Sequence, residues 1–307
     1  MATYRSDNLL DSLPEVSKKF THFTPKASIG YMLGANNSVY ALYGGGIENP
    51  AFNEINPPPD SLVIARGGTP DPSGRFNPLL EPVISTTYEV GAKGSVVFGE
   101  GAFGLRYDVA AFMINIQNDL IPWDGGRYYF TAGETLRNGA EIGLGAYSAI
   151  GLSLQTALTF MDSKYDKYTS TLGTFDGNKT AGIPSMFANV RLRYDIELAD
   201  KVSAFIEGSM EYVGDYYADD RNDKLADGSP DPATRSLVPS YSLMGGSLGI
   251  RGTFGPWDLN LFSAANNLAD KKYVASAFIN GSGNRYFEPG LARNMTVGFG
   301  VKYRFVD

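Results

Sequence analysis

The sequence predicts an all-β chain: a transmembrane antiparallel β-barrel with about 11 to 12 strands present. Three observations carry this expectation. Apolar and polar side chains alternate with a period of two in many segments, the connections between those segments alternate short and long, and the composition is rich in Gly (36), Tyr (19) and Phe (18).

The last segment shows the alternation most clearly. Met295, Val297, Phe299, Val301, Tyr303 and Phe305 alternate with Asn294, Thr296, Gly298, Gly300, Lys302 and Arg304. One face is apolar and the other polar or bare, as in a strand with lipid on one side and a wet lumen on the other. Met186, Ala188, Val190, Leu192, Tyr194 and Ile196 repeat the pattern against Asn189, Arg191, Arg193, Asp195 and Glu197, with Phe187 breaking it. Tyr88, Val90, Ala92, Val96 and Phe98 oppose Glu89, Lys93 and Ser95. The stretches 152–160 and 202–212 behave alike. Helical spacing fits none of them as well.

Short turns are expected near 34–37, 99–101, 147–150, 198–201 and 254–256, with long loops between them at 46–83, 118–132, 163–184, 214–238 and 267–291. Outer-membrane barrels have short periplasmic turns and long external loops, whereas a Greek-key sandwich does not keep so strict an alternation. About eleven strands lie between these connections, and since single-chain barrels usually hold an even number, residues 1–25 are expected to be an external loop or part of another strand. Charges of both signs on the polar faces, among them Glu89, Lys93, Arg106, Asp108, Glu141, Arg191, Arg193 and Glu207, suit a barrel filled by another polar element.

Composition removes several function classes. The chain has no Cys, so thiol catalysis and thiolate metal sites are out, and His22 is the one histidine, on which any Ser-His-Asp hydrolase or His-ligated metal enzyme would have to rest. A net charge of -7, with no basic stripe, argues against a nucleic-acid partner. No stretch of about 18 apolar residues is present to make a membrane helix. The first residues, Met1 to Asp7, lack the features of a secretory signal.

Motifs add a family resemblance. The stretch Asn266-Asn267-Leu268-Ala269-Asp270-Lys271-Lys272-Tyr273, then Asn284-Arg285-Tyr286-Phe287-Glu288-Pro289-Gly290-Leu291-Ala292-Arg293, and a strand ending Tyr303-Arg304-Phe305, resembles the closing stretch of TonB-dependent receptors, where N-L-x-D-x-x-Y, P-G-x-x-R and a terminal aromatic strand occur in this order. Upstream, Phe23-Thr24-Pro25-Lys26, Ile47 to Glu54, Leu80-Glu81-Pro82, Tyr88-Glu89-Val90-Gly91-Ala92-Lys93, Arg137-Asn138-Gly139-Ala140-Glu141 and Gly182-Ile183-Pro184 are similar to further family segments in the same order. The resemblance covers about residues 23–305. It implies 26–305 as the C-terminal half of a barrel of about 22 strands, without the N-terminal plug domain or the short box that engages the energy-transducing TonB complex. The family's final aromatic is read by the barrel-assembly machinery, which assigns that signal to Tyr303 and Phe305, although Val306 and Asp307 follow. A truncated or split receptor, inactive alone, is the expectation.

What the resemblance implies is transport in the bacterial outer membrane, with a ferric siderophore or similar chelate as transported ligand and no cofactor or catalytic residue. The external loops are expected to supply ligand contacts: Arg127, Tyr128 and Tyr129 as a cation with aromatic platforms, and Tyr216, Tyr217 and Arg221 likewise. Ordinary solvated loop residues or members of an outer aromatic girdle are the more common reading of both groups. The run Asp215 to Asp223 is similar to a segment of ferric-citrate-like members; its carboxylates could gather Ca²⁺ but lack EF-hand spacing, so a solvated loop is expected. Gly281-Ser282-Gly283 reads as a turn, and Trp257 and Phe254 as part of an inner aromatic belt. Two rivals stand beside this reading: an autonomous passive porin of about twelve strands, and a barrel enzyme resting on His22.

Overall fold

The computed structural model describes residues 2–6, 16–51, 54–55, 57–72, 74, 76–124, 126–131, 133–170, 173–225, 227–233, 235–281 and 287–305. Phe52, Asn53, Ser282, Gly283, Asn284, Arg285, Tyr286, Val306 and Asp307, which enter the sequence motifs, lie outside the described residues.

Eleven strands form one antiparallel sheet: β1 (Lys26–Met32), β2 (Asn37–Glu48), β3 (Val83–Phe98), β4 (Phe103–Gln117), β5 (Glu134–Ser148), β6 (Leu152–Lys167), β7 (Met186–Ala199), β8 (Val202–Val213), β9 (Tyr241–Phe254), β10 (Trp257–Asn266) and β11 (Asn294–Tyr303). Each strand pairs with its neighbours in sequence, so the order is an unbroken meander with β1 and β11 at its two edges. The connections alternate as the sequence predicts. Those at 33–36, 99–102, 149–151, 200–201 and 255–256 are tight, and those at 49–82, 118–133, 168–185, 214–240 and 267–293 are long.

The register places the alternating faces. Val90 lies opposite Ala41 and Ala111, Leu158 opposite Ile142 and Ala188, and Leu261 opposite Ile250 and Phe299. These residues form one apolar face, and it is bare: Ile29, Val90, Ile206, Leu248 and Phe299 are all well over half exposed. On the other face Lys93 stands opposite Asp108, and Arg193 opposite Glu207. A single sheet that shows water an apolar face and keeps its charges on the other has its solvents inverted, which is how a barrel wall in lipid is built.

The core of the molecule is therefore not under the sheet but in the long loops. Val63, Phe76, Leu80, Ile121, Phe130, Tyr168, Phe175, Ala218 and Val238 are all buried and all belong to the long connections. The sequence reading treats these stretches as loops; the structure gives them their own elements. Short antiparallel pairs join Leu120–Trp123 to Tyr128–Thr131, Tyr216–Tyr217 to Leu237–Val238, and Val274–Ala277 to Phe287–Pro289, and a six-residue helix α1 spans Asp60–Ala65. Ahead of β1, Ala2–Ser6 pairs with Val16–Phe20 as a separate two-stranded sheet.

Strand β6 runs to Lys167, five residues past the expected end at 162. The reason is an inversion of its pattern. Up to Phe160 the apolar side chains sit at even positions, facing lipid, whereas beyond it the odd positions Ser163 and Tyr165 are buried inward and Asp162, Lys164 and Asp166 are exposed. Above the membrane the outward side meets water, so polarity swaps faces while the strand continues.

Candidate functional site

The inner wall explains the motif spacings residue by residue. In Tyr88-Glu89-Val90-Gly91-Ala92-Lys93, Glu89, Gly91 and Lys93 alternate onto the lumen side. Tyr40 of β2 stands opposite Gly91 and lies across it where any Cβ would collide with its ring. Its hydroxyl donates to Glu89 Oε1 at 2.7 Å, and Lys93 Nζ sits 5.6 Å from the ring centroid. The E-x-G-x-K spacing is thus a socket for one tyrosine: acceptor, bare floor, cation. Tyr40→Phe should cost about 1 kcal/mol of wall stability, the typical worth of one such hydrogen bond, read as a shift in the urea midpoint of the folded barrel.

The same logic recurs in Arg137-Asn138-Gly139-Ala140-Glu141. Gly139 leaves room for the Phe112 ring, and Arg137 Nη2 reaches Asp119 Oδ2 at 3.1 Å just past the end of β4. Phe205 covers Gly249 and Phe262 covers Gly298 in like manner. A ring laid over a neighbouring glycine recovers the packing that glycine lacks and fixes register. Farther round, Arg191 and Arg193 approach Glu207, while Arg193 and Arg251 both bind Asp195 at 2.8 and 3.0 Å. Arg304 pairs with Asp258, and Lys302 stands opposite Asp258 on the same side.

Aromatic side chains gather beside the short turns. Phe98 and Phe103 pair across β3 and β4 at 6.0 Å, and Trp257, Tyr303 and Phe305 form a chain of edge contacts at 4.8 and 4.9 Å. Phe254 is about half exposed nearby. The indole of Trp257 and the phenol of Tyr303 are part apolar and part polar, which suits the membrane interface.

At the other end of the wall, groups from the first, third and fifth long connections act on a buried carboxylate of the fourth, Asp220, and the second connection joins them through Asn280. Tyr165, at the tip of β6, donates its hydroxyl to Asp220 Oδ1 at 2.5 Å, and Tyr168 donates to Oδ2 at 3.4 Å. Asn280, from the last loop, uses all its amide: Nδ2 donates to Asp220 Oδ2 at 2.9 Å and to the Pro122 carbonyl at 3.0 Å, while Oδ1 accepts from the Asp220 backbone N–H at 3.1 Å. Asn178 Nδ2 donates to the Asp220 carbonyl at 2.9 Å. From the first loop, Arg66 lies with its guanidinium carbon 3.4 Å from the Phe130 ring centroid and 4.5 Å from that of Trp123. Its Nε and Nη1 are buried without hydrogen-bond partners, and the ring faces take the place of acceptors. Around these polar groups Ile121, Phe130, Tyr165, Tyr168 and Phe175 make a buried apolar cluster.

Burial dominates the electrostatics here. It pushes the Asp220 carboxyl up to about 6, against the opposing pull of the Tyr165 and Asn280 hydrogen bonds; Asp219 adds to the rise and Arg66 opposes it. Burial likewise raises the Tyr168 phenol far above its ordinary range and lowers the Arg66 guanidinium.

This corrects the reading of Asp215 to Asp223 as a solvated loop. Asp219, Asp220 and Asn222 are buried, and the carboxylates are used one by one: Asp219 holds Arg221, Asp215 accepts from Ser185, and Asp223 accepts from the Ser236 hydroxyl and N–H. Among the described residues no group of three carboxylates or histidines converges on a metal position. Short polar side chains bond readily to nearby backbone, and here those bonds shape a buried turn instead of leaving it to water.

The residues expected to contact a ligand fall in two of the loops. Arg127 is largely exposed, 3.9 Å from Asp124 and 5.4 Å from the Tyr128 ring centroid. Tyr128 and Tyr129 are half-buried in their hairpin, where the Tyr129 carbonyl accepts from Asn77. Tyr216 and Tyr217 are half-buried in a short strand, and the Tyr217 carbonyl accepts from Gly182. Arg221 makes two bonds to the Asp219 carboxylate at 2.9 and 3.3 Å. Sequence reasoning missed Arg66, Trp123, Tyr165, Tyr168 and Asn280. They are scattered over four separate segments, and the one cue within reach was the inverted alternation at Ser163 and Tyr165.

The wall, the two aromatic and polar ends, and the ordered loop cap together define the class: a membrane-spanning β-barrel wall with its long loops gathered at one mouth. The chain belongs to the TonB-dependent receptor-like β-barrel family, whose model matches residues 2–268. That match takes in the stretch before residue 23 and ends at 268, within the first of the three closing motifs that carry the resemblance. The chain is 26% identical over 286 residues to the ferrioxamine receptor of Yersinia enterocolitica, covering 91% of this chain and 33% of that protein. It therefore spans about a third of that relative's length. Its fold is similar to the ferric preacinetobactin receptor from Acinetobacter baumannii, with TM-score 0.64 at 18% identity over 98% of this chain and 39% of the other. The ferric yersiniabactin uptake receptor from Yersinia pestis gives TM-score 0.64 at 19% identity, covering 95% and 39%.

Proposed function

We propose that this chain forms wall and outer-loop cap of an outer-membrane receptor that imports a ferric siderophore at the expense of TonB-transmitted energy. One observation carries the reading: an eleven-stranded meander whose outer face is bare and apolar while its inner face is ion-paired, in a chain that the family model covers over most of its length. Such a wall holds a polar element inside and lipid outside. The partners that follow are outer-membrane lipid, the energy-transducing TonB complex, and the barrel-assembly machinery, for which Tyr303 and Phe305 present exposed aromatic edges.

The named relative makes ferrioxamine the first chelate to test. Arg127, Tyr128 and Tyr129 are the stronger ligand candidates, because Arg127 is exposed while Arg221 is tied to Asp219. Tyr216 and Tyr217, half-buried in their own loop, are the second pair of aromatic candidates. The gene carrying this chain should be disrupted in its host and uptake of radiolabelled ferric ferrioxamine followed with and without a functional TonB complex. Loss of the energised component supports the reading, and replacing Arg127 and Tyr128 together by Ala should then lower uptake on the order of tenfold, as for loss of one well-made polar contact. Unchanged uptake of ferrioxamine and of catecholate and citrate chelates on disruption would sink it.

A further inference from the structure

Whichever chelate is carried, the outer loops share a buried carboxylate that nothing in the wall requires. Asp220 is 5% exposed, and the groups that act on it directly or through one intermediary come from all five long connections, its own included. Tyr165 and Tyr168 face it from the end of β6, Asn178 from the third loop, Asp219 from its own loop, Asn280 from the fifth. Arg66 acts on it from the first loop, and the second loop closes the ring through the Pro122 carbonyl and the Trp123 and Phe130 rings. Lys224, one further cation close by, is spent on Asn178 Oδ1 at 3.0 Å. The cluster packed around these groups is apolar and buried.

We infer that Asp220 is a proton-operated latch, which locks the five outer loops into one cap when protonated and loosens them when ionised. The direction follows from the chemistry of burial. A carboxylate shut away from water is costlier than a carboxylic acid in the same place, whereas in an opened cap both are hydrated. The closed cap therefore binds the proton more tightly than the open one, whose Asp titrates near the ordinary carboxylate value of about 3.9. Burial sets the closed-state value at about 6. Between these limits the closed state holds the extra proton, so closure strengthens as pH falls and is lost as pH rises through the upper one. Nothing is left to gain below the lower one. The opening constant should drop about tenfold for each pH unit lowered across that window.

Two tryptophans make the test direct. Trp123 sits in the latch against Arg66, and Trp257 lies at the far end of the wall. In a W257F background, with the chain as the cell makes it held in micelles, Trp123 emission reports the cap alone. Acrylamide quenching should rise as pH increases through about 6, which is the value set by burial of Asp220. Asp220→Asn, a neutral isostere of the acid, should keep quenching low and flat across the range. Arg66→Gln removes the cation that favours the ionised form, so it should move the midpoint upward; a merely structural role for either residue would leave the midpoint in place. His22→Gln, lacking the chain's one imidazole, should titrate like the parent. A flat parent curve, an unaltered titration in Asp220→Asn, or a midpoint that follows His22 would each overturn the latch.

Discussion

Placing Arg at Leu261 should destabilise the folded barrel by about 2–4 kcal/mol, whereas Arg at Ala264, on the same strand, should change stability by well under 1 kcal/mol. The two positions lie three residues apart on one strand and on opposite sides of the sheet. Leu261 is in the middle of β10, half exposed, and pairs laterally with Ile250 and Phe299. Its face is the one we assign to lipid, where a guanidinium near the midplane has no water and no partner. Ala264 points the other way, opposite Ser247 and Thr296, and Ser247 lies opposite Glu207. An arginine there reaches toward a carboxylate in a wet lumen. Urea unfolding of both variants in lipid vesicles, scored by heat-modifiable gel mobility, checks the pair. Equal costs at the two positions would mean that both faces see the same solvent, and the barrel-wall reading would fall with that result.

Strand order, pairing and face were legible in the sequence because a membrane wall is a one-layer problem. Each strand needs only its two neighbours, and the neighbour in space is the neighbour in sequence. Period-two alternation then decides which face most side chains take, as in Leu152, Leu154, Leu158 and Phe160 against Ser153, Gln155 and Thr159. Where the reading stopped short, at 162 on β6, the cause was a change of solvent and not of structure.

The loop cap was illegible for the opposite reason. Arg66, Trp123, Tyr168, Asp220 and Asn280 come from five connections whose meeting depends on packing among loops, and no local period records that. The six Asp residues between 214 and 240, against three Lys and Arg, look in sequence like a solvated acidic stretch. In the structure two of them are buried, one holding an arginine and one taking tyrosine hydroxyls. Acidic composition favours solvation only while nothing nearby can satisfy the carboxylates. Tyr165 and Asn280 lie 55 and 60 residues from Asp220 along the chain, so that condition could not be checked from sequence.

Asn267→Ala should release the last long loop from the end of β10, at a cost of about 3 kcal/mol. The segment Asn267-Leu268-Ala269-Asp270 opens that loop, and Pro289-Gly290-Leu291-Ala292-Arg293 closes it. Asn267 is 4% exposed and sits at φ +50°, where Asn is tolerated better than other side chains. Its Nδ2 donates to the Lys271 carbonyl at 2.9 Å and across to the Leu291 carbonyl at 3.0 Å, while Oδ1 accepts from Lys271 N–H at 2.8 Å. Asp270 Oδ1 in turn accepts from Arg293 N–H at 2.9 Å, and the Tyr273 ring fills the space that a side chain at Gly290 would need. The two motifs are thus halves of one clasp, which is a physical reason for their occurring together. Alanine takes this partner away from the Lys271 N–H and from the Lys271 and Leu291 carbonyls and adds backbone strain; Asn267→Gly removes the strain alone and should fall between alanine and the parent. Asp270→Asn keeps its acceptor and should change little. Limited proteolysis of the folded chain between 268 and 293 ranks the three, and cutting at the parental rate in Asn267→Ala would show that the motifs are held together by something other than this clasp.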